Sequence, residues 1–266
     1  METSDTEVAE AILKDGSFYG LRGNQFELEV VSELNNSDYL DRYIANSCSG
    51  SFIFDMVFDY IVSDLNIDKN KIISVFSTNT VVKLKSGGNA KTDIVLYLET
   101  RANKYLATIS VKNTNQKSVS CHDYKAADFK RVLDVQESKL GYYFDLYQEA
   151  GSNSEFLSKM STQDSLQEFE ELLSPYAQKF SEWALKGDHD FDNLIDPTSQ
   201  VSQYVLIRNN DSIHFESFDS YIVKLFSGAT CRVPDDQMSF RSYPLLVARE
   251  LIQKVFPEHA YEHQAT

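Results

Sequence analysis

Asp93 and Lys112 are polar residues at the ends of two neighbouring apolar stretches, residues 91–98 and 105–112. Both stretches are rich in β-branched and aromatic residues, and the polar run between them favours a turn, so they predict an antiparallel pair of β-strands. In such a pair the start of the first strand lies beside the end of the second. The Asp93 carboxylate, the Lys112 ammonium and the carbonyl of Val111 would then meet at one sheet edge, where they could seat a divalent metal ion and an attacking water.

These residue types suit the hydrolysis of a phosphodiester bond. That reaction needs an in-line water, neutralisation of the charge that develops on the phosphoryl group, and stabilisation of the leaving oxygen. Mg²⁺ supplies much of this, and because it keeps several waters, one or two carboxylates and a carbonyl suffice as protein ligands. We predict Asp93 as the main ligand. Lys112 would orient or deprotonate the water, or stabilise the transition state as a cation.

Glu27 is a third candidate, far upstream of the other two. It follows Phe26 in an amphipathic segment preceded by Gly23, a residue that allows close approach to another backbone. Phe26 would anchor a helix to the core, while Glu27 would point elsewhere, towards the predicted metal site. Taken alone, a solvated helix carboxylate is the alternative for Glu27.

The three segments together resemble a known nuclease superfamily. Gly23-x-x-Phe26-Glu27, the run Gly-Gly-Asn-Ala-Lys-Thr-Asp at 87–93, and Ser-Val-Lys at 110–112 match the PD-(D/E)XK nucleases in order and context. The Gly-Gly before Lys-Thr-Asp is similar to the metal-binding segment of MspI-like type II restriction endonucleases. The resemblance implies an α/β fold with a central mixed β-sheet flanked by helices. It also implies Mg²⁺-dependent, sequence-specific cleavage of double-stranded DNA that leaves 5′-phosphates.

The same resemblance implies the roles of the site residues. Asp93 and the carbonyl of Val111 would bind the metal, Lys112 would assist the water, and Glu27 would support the site through water or metal. Ser110 takes the variable position of the last motif, where the superfamily carries an acid and this family can carry Asn. The site would then rest on one strong carboxylate and water-mediated contacts. A catalytically impaired DNA-binding protein on the same fold, or a nuclease for RNA or branched DNA, remains the alternative.

The resemblance continues into residues 117–124, similar to the family segment that contacts DNA. The candidate DNA-binding residues are Lys117, Ser118, Ser120, Asp123 and Lys125. Serine can bond several base edges and a carboxylate accepts from the amino group of cytosine, whereas lysines would meet phosphates. A polar loop followed by a helix cap at Ser120 is the alternative.

The elements that must position these residues follow from hydrophobic periodicity and breaker residues. Helices are predicted at 6–14, 22–46, 52–64, 122–132, 134–147, 164–186 with a break at Pro175, 217–226 and 244–255. Further strands are predicted at 72–76, 81–84, 203–208 and 212–215. Trp183 is predicted in the core. One domain over residues 1–266 is expected, with a helical part to about residue 70 and a catalytic core over about 71–230.

Charge is unevenly distributed along this chain of 266 residues with a net charge of −15. Acids dominate residues 145–196, whereas bases dominate residues 83–131, around the predicted site. The total argues against indiscriminate binding to nucleic acid, but binding a polyanion depends on cations gathered locally. The alternating acids at 188–193 lack the glycine and terminal glutamate of a calcium loop, so a solvated acidic loop is favoured.

Composition also bounds location and partners. No apolar run approaches the roughly 20 residues that span a bilayer, and the N-terminus lacks a basic signal-peptide start, so a cytoplasmic protein without a membrane partner is expected. Cys48, Cys121 and Cys231 are odd in number and far apart, which favours isolated thiols over disulfides or a zinc site. Double-stranded DNA is the expected partner and a homodimer is left open. The resemblance implies a cognate DNA methyltransferase as genetic partner.

Overall fold

Five strands form one sheet in the structure, a computed structural model that describes residues 16–114, 125–150, 153–161, 165–209 and 212–226. They are β1 (Ile72–Thr78), β2 (Ile94–Thr100), β3 (Lys104–Thr114), β4 (Tyr204–Asn209) and β5 (Ser212–Ser217). Strands β3 and β4 are parallel, and the other neighbouring pairs are antiparallel. The predicted central mixed sheet is confirmed, as is the antiparallel pairing of β2 with β3.

Helices account for most of the remaining described chain. They are α1 (Gly16–Leu34), α2 (Ser37–Ile44), α3 (Phe52–Asp64), α4 (Ala126–Leu133), α5 (Lys139–Ala150), α6 (Asn153–Lys159), α7 (Leu166–Leu173), α8 (Ala177–Ser181), α9 (Pro197–Gln200) and α10 (Phe218–Phe226). The predictions for α3 and α10 are confirmed, whereas α6 is not predicted by the sequence pattern. The helices predicted at 6–14 and 244–255 lie outside the described residues.

The helix predicted over residues 22–46 is wrong as one element, because two asparagines divide it. Asn36 caps α2, where its side chain accepts hydrogen bonds from the backbone N–H groups of Asp38 and Tyr39. The Asn35 side chain instead bonds both backbone groups of Ser77 at the end of β1. Asparagine side chains compete with backbone partners in this way, so they favour caps over helix interiors.

The strand predicted at 81–84 is also wrong, because these residues form part of a loop. The backbone carbonyls of Val82 and Lys83 accept hydrogen bonds from a buried side chain, that of Gln200. The backbone N–H of Leu84 bonds the carbonyl of Gly88 and closes a turn. A short apolar run has strand propensity, but propensity is overridden where the backbone groups find other partners.

The hydrophobic core on one face of the sheet is built with α1 and α3. Phe26 of α1 and Phe54 of α3 have no exposed surface and pack with Ile94, Ile109 and Leu206 of the strands. Since side chains alternate along a strand, the residues next to Ile94 and Ile109 point to the opposite face. The sheet therefore turns the side chains at positions 93, 110 and 112 to one common face.

The described residues divide into two compact units. One lies within residues 1–116 and 195–217 and contains the sheet, and the other lies within residues 117–194 and 218–266. The expectation of a single domain over residues 1–266 stays a prediction, since compact units can fold together.

An aromatic core holds the second unit together. Trp183 is buried against Phe129 and Phe180, so its predicted place in the core is confirmed. The predicted break at Pro175 is confirmed by a 3₁₀ turn over Ser174–Tyr176 between α7 and α8. The helix predicted from residue 134 begins later, at Lys139, because Asp134 adopts a left-handed conformation that ends α4 at Leu133.

The acidic loop at 188–193 is not simply solvated. Asp190 is buried, and its carboxylate accepts from the Arg131 guanidinium, so the prediction is wrong at this residue. Within the described part of the chain, no group of three or more His, Cys, Asp or Glu side chains could hold a metal ion. Cys48 is exposed and free; Cys121 and Cys231 lie outside the described residues. No helix among the described residues is long and apolar enough to cross a membrane.

Candidate active site

Asp93 is the centre of a polar cluster at one edge of the sheet. It stands just before β2, and its backbone N–H extends the ladder by bonding the carbonyl of Ile109 at 2.9 Å. Its Oδ2 accepts from the hydroxyl of Ser110 at 3.1 Å and the backbone N–H of Val111 at 2.6 Å. Lys112 Nζ lies 3.5 Å from the same oxygen. The structure thus brings together the two residues that the strand pattern places side by side.

The two charged members of the cluster remain open to solvent. The side chains of Asp93 and Lys112 are 24% and 25% exposed. Ser110 is fully buried, and its hydroxyl donates a hydrogen bond to Asp93 from within the protein. A phosphate or a hydrated ion could therefore reach the carboxylate and the ammonium, while the neighbouring serine holds the carboxylate in place.

Val111 meets Asp93 through its backbone N–H, whereas the sequence singled out its carbonyl. The side chain of Val111 lies in the core beneath the sheet, which fixes the backbone at this position. The metal-binding role of the Val111 carbonyl stays a prediction.

Glu27 lies within electrostatic reach of this cluster. Its half-buried carboxyl has its pKa raised to about 7, first by burial and then by the negative charge of Asp93, while the positive charge of Lys112 opposes the shift. Phe26 is fully buried and anchors α1, as predicted. The fold therefore brings Glu27 of α1 within electrostatic reach of Asp93 and Lys112, while its role in the site stays a prediction.

Sequence reasoning assigned no role to several residues that hold the site. The Arg208 guanidinium lies 3.6 Å from the centre of the Phe26 ring, and it also pairs with Glu29 at 2.9 Å. Gln200 and Ser202 bond the segment that precedes Asp93. No motif marks these residues; the only local signal is Asp196-Pro197, which is typical of a helix start.

The predicted DNA-binding residues are only partly within the described chain. Lys117, Ser118, Ser120 and Asp123 lie outside it. Lys125 is exposed immediately before α4, where its backbone N–H donates to the carboxylate of Asp128. The position of Lys125 leaves its ammonium available to solvent, which suits a phosphate contact.

The donor set at the site fits a hard divalent cation. Asp93 and Glu27 supply carboxylates close enough that the negative charge of one raises the pKa of the other. A bound cation would relieve this repulsion. Mg²⁺ needs only one or two protein carboxylates because it retains water, which agrees with the lack of a larger acidic cluster in the described residues.

Comparison with known proteins identifies relatives of one kind. The family described as restriction endonuclease MspI matches residues 3–233. Type II restriction enzyme BsuFI of Bacillus subtilis is 26% identical over 169 residues, which cover 60% of this chain and 42% of that enzyme. Type II restriction enzyme MspI of Moraxella sp is 24% identical over 179 residues, 65% of this chain and 66% of that enzyme. The chain thus spans less than two thirds of the length of either relative.

The fold agrees with this relationship. A crystal structure of restriction endonuclease MspI in complex with its cognate DNA superposes with a TM-score of 0.59 at 17% identity, over 85% of this chain and 84% of that one. The fold is therefore the α/β fold of that endonuclease. Since the family match covers most of its length, the chain belongs to the MspI restriction endonuclease family.

Proposed function

We propose that this protein is a type II restriction endonuclease of the PD-(D/E)XK kind. It would hydrolyse phosphodiester bonds in double-stranded DNA at a specific sequence, with Mg²⁺, and leave 5′-phosphate and 3′-hydroxyl ends. The observation that carries the proposal is the convergence of Ser110, Val111 and Lys112 on one oxygen of Asp93 in a member of this family.

The proposed chemistry assigns a task to each group. Asp93 and Glu27, with the carbonyl of Val111, would hold the divalent cation, which supplies Lewis-acid charge and a bound water when present. Lys112 Nζ would orient the attacking water and stabilise negative charge on the phosphoryl oxygens. Ser110 would keep Asp93 oriented by donating to Oδ2, the contact seen in the structure.

Cleavage of plasmid DNA by purified variants tests this proposal. Asp93→Ala and Lys112→Ala should each lose most of the Mg²⁺-dependent cleavage, on the order of a hundredfold or more. Asp68→Ala and Lys71→Ala are matched controls, because these residues form an exposed ion pair elsewhere in the same unit. Sequencing the product ends should give one shared sequence with a 5′-phosphate. Full activity in either site variant would contradict the assignment.

Ser110 supports a second candidate function. Because a buried serine stands where the superfamily carries a metal-binding acid, the protein could bind DNA without cutting it. Titration with Mg²⁺ and Mn²⁺ separates the two functions, since only a nuclease would convert bound duplex into fragments. Parallel incubation with RNA and branched DNA tests whether the same site acts on those substrates instead.

The remaining assignments belong to the same proposal. Lys117, Ser118, Ser120, Asp123 and Lys125 would contact the duplex. A DNA methyltransferase would protect the host sequence, and the enzyme would act in the cytoplasm. Sedimentation with and without duplex would show whether one chain or a homodimer binds. Equilibrium unfolding followed by two probes would test the single-domain prediction, since one cooperative unit gives coincident transitions.

A further inference from the structure

The loop that joins β1 to β2 leads directly into Asp93, and all of its charged residues are lysines. Between Thr78 and Asp93 the sequence contains Lys83, Lys85 and Lys91 but no aspartate or glutamate. Lys83 and Lys85 are exposed. We call residues 82–92 the basic loop. In a protein with a net charge of −15, such a stretch beside the candidate active site is a local exception.

A fully buried glutamine anchors the first end of the basic loop. The Gln200 side chain donates to the carbonyls of Val82 and Lys83 at 2.9 and 3.0 Å. Its Oε1 accepts from the backbone N–H groups of Ile195 and Asp196, both at 2.7 Å. Gln200 therefore connects two loop segments of the same unit through four hydrogen bonds, and none of its surface is exposed.

The same segment also holds the other end of the loop. Thr92 Oγ1 lies 3.2 Å from Ser202 Oγ, and both side chains are buried. Both ends of the basic loop are thus bonded to residues 195–202, and the second anchor is adjacent to Asp93. Residues 195–202 fix where the loop stands relative to the site.

The middle of the loop is a closed turn that stands away from the protein. The N–H of Leu84 bonds the carbonyl of Gly88, and the N–H of Gly87 bonds the carbonyl of Leu84. Gly87 has a φ of +83°, and a Cβ built there would have no neighbour within 4 Å. The tip is therefore exposed and held in one conformation, so that binding there would cost little further ordering of the backbone.

We propose that the basic loop is a DNA-backbone clamp, in which Lys83 and Lys85 contact phosphates of the duplex next to the bond that is cut. This inference rests on the proposed function and adds a binding surface to it. Lysines contribute to such contacts as point charges that do not read sequence. The anchors at Gln200 and Ser202 would transmit the position of the bound backbone to Asp93.

Binding of a labelled duplex tests the clamp without cleavage. We would measure the Kd of a fluorescent duplex of mixed sequence, about 20 base pairs long, in EDTA across a salt series. The variant Lys83→Gln/Lys85→Gln should bind about ten- to fiftyfold more weakly at about 0.1 M salt, and its log–log salt slope should be shallower by about 1.8. That slope change counts lost phosphate contacts, so a general folding defect would not reproduce it.

The control removes the same charge at the other end of the sheet. Lys71 and Lys104 are exposed lysines paired with Asp68 and Glu99, and Lys104 starts β3, some eight residues before Lys112. Lys71→Gln/Lys104→Gln should leave the salt slope unchanged. Equal Kd and slope for the Lys83→Gln/Lys85→Gln variant and the wild type would overturn the clamp while leaving plasmid cleavage intact. A wild type that neither binds nor cuts DNA would overturn the proposed function and the clamp together.

Discussion

At the scale of single residues, one oxygen of Asp93 receives donors from three consecutive residues of β3. These donors hold the carboxylate in one orientation at the edge of the sheet. Two of these donors, the Ser110 hydroxyl and the Val111 N–H, are held by the strand itself. At the variable position, Ser110 thus supplies a hydroxyl donor that orients the carboxylate of Asp93.

Ser110→Asp would place an acid at the variable position. We expect it to tighten Mn²⁺ binding about tenfold, because a further carboxylate ligand becomes available beside Asp93. Without metal it should lower the free energy of unfolding by roughly 1–3 kcal/mol, since two neighbouring carboxylates repel and the position is fully buried. Calorimetry with Mn²⁺ and urea unfolding in EDTA measure the two effects. Ser110→Asn serves as the uncharged control, and an unchanged Mn²⁺ affinity in Ser110→Asp would contradict the expectation.

Glu27 makes the metal-free protein less stable as the pH rises. Its pKa rises from 4.5 to about 7 on folding, chiefly through burial. The folded state therefore holds a proton that the unfolded state has lost between these values, so the free energy of unfolding falls across this window and stays lower above it. Glu27→Gln should remove this loss and gain about 1–2 kcal/mol over wild type between about pH 5 and pH 8, an amount reduced for partial exposure.

Urea unfolding in EDTA at several pH values measures the difference between Glu27→Gln and wild type. Glu29→Gln on the same helix is the control, since Glu29 is paired with Arg208 on the protein surface. A constant difference between Glu27→Gln and wild type over this pH range would show that folding does not raise the pKa of Glu27.

At the scale of elements, the position of α1 decides where Glu27 lies. Arg208 at the end of β4 stacks on the Phe26 ring and pairs with Glu29. It therefore connects α1 to the sheet through residues before and after Glu27 in the sequence. Arg208 is thus a positioning residue, one strand away from the β3 residues of the candidate site.

Arg208→Ala should loosen this attachment. We expect a loss of about 1–2 kcal/mol in the free energy of unfolding and about a tenfold lower cleavage rate at saturating DNA. Arg208→Lys should recover part of the stability, because it keeps a cation near Glu29, but not the flat contact with Phe26. Single-turnover cleavage separates rate from DNA affinity. An equal loss of rate in Glu29→Gln would assign the effect to the ion pair rather than to the stacking.

Sequence patterns predicted the elements whose structure is set by nearby residues, and they missed those whose structure depends on hydrogen bonds to residues far along the sequence. The apolar stretches around Asp93 and Lys112 carry their own strand signal, and their pairing follows from the short turn between them. Val81 and Val82 also have strand propensity, yet the side chain of Gln200, more than a hundred residues later, donates a hydrogen bond to the carbonyl of Val82. The single helix predicted over residues 22–46 was wrong for the same reason, since the side chain of Asn35 bonds Ser77 on the distant strand β1. The proximity of Asp93 and Lys112 was therefore predictable from the strand pattern, whereas the contacts of Gln200 and Asn35 were not.

At the scale of the whole molecule, charge segregation governs how the protein would meet DNA. The net charge is −15 and the isoelectric point is about 4.7, so the total field repels a polyanion. Bases are concentrated in the sequence between residues 83 and 131, the stretch that also contains Asp93 and Lys112. An acidic protein of this kind would suppress non-specific binding while a local basic surface holds the duplex.

Removing acidic residues that are far from Asp93 in the sequence should increase non-specific DNA binding. Glu170 and Glu171 lie on α7, within the acid-rich residues 145–196. We expect Glu170→Gln/Glu171→Gln to bind non-specific duplex about twofold more tightly at low salt and equally at about 0.3 M salt, because counterions screen charges beyond a few ångströms there. Anisotropy titrations of a mixed-sequence duplex in EDTA measure this, with Gln167→Ala on the same helix as the neutral control. An increase in affinity that persists at high salt would mean that α7 contacts DNA directly. No increase in affinity at low salt would contradict the expectation, since it would mean that the acidic charge of α7 does not oppose DNA binding.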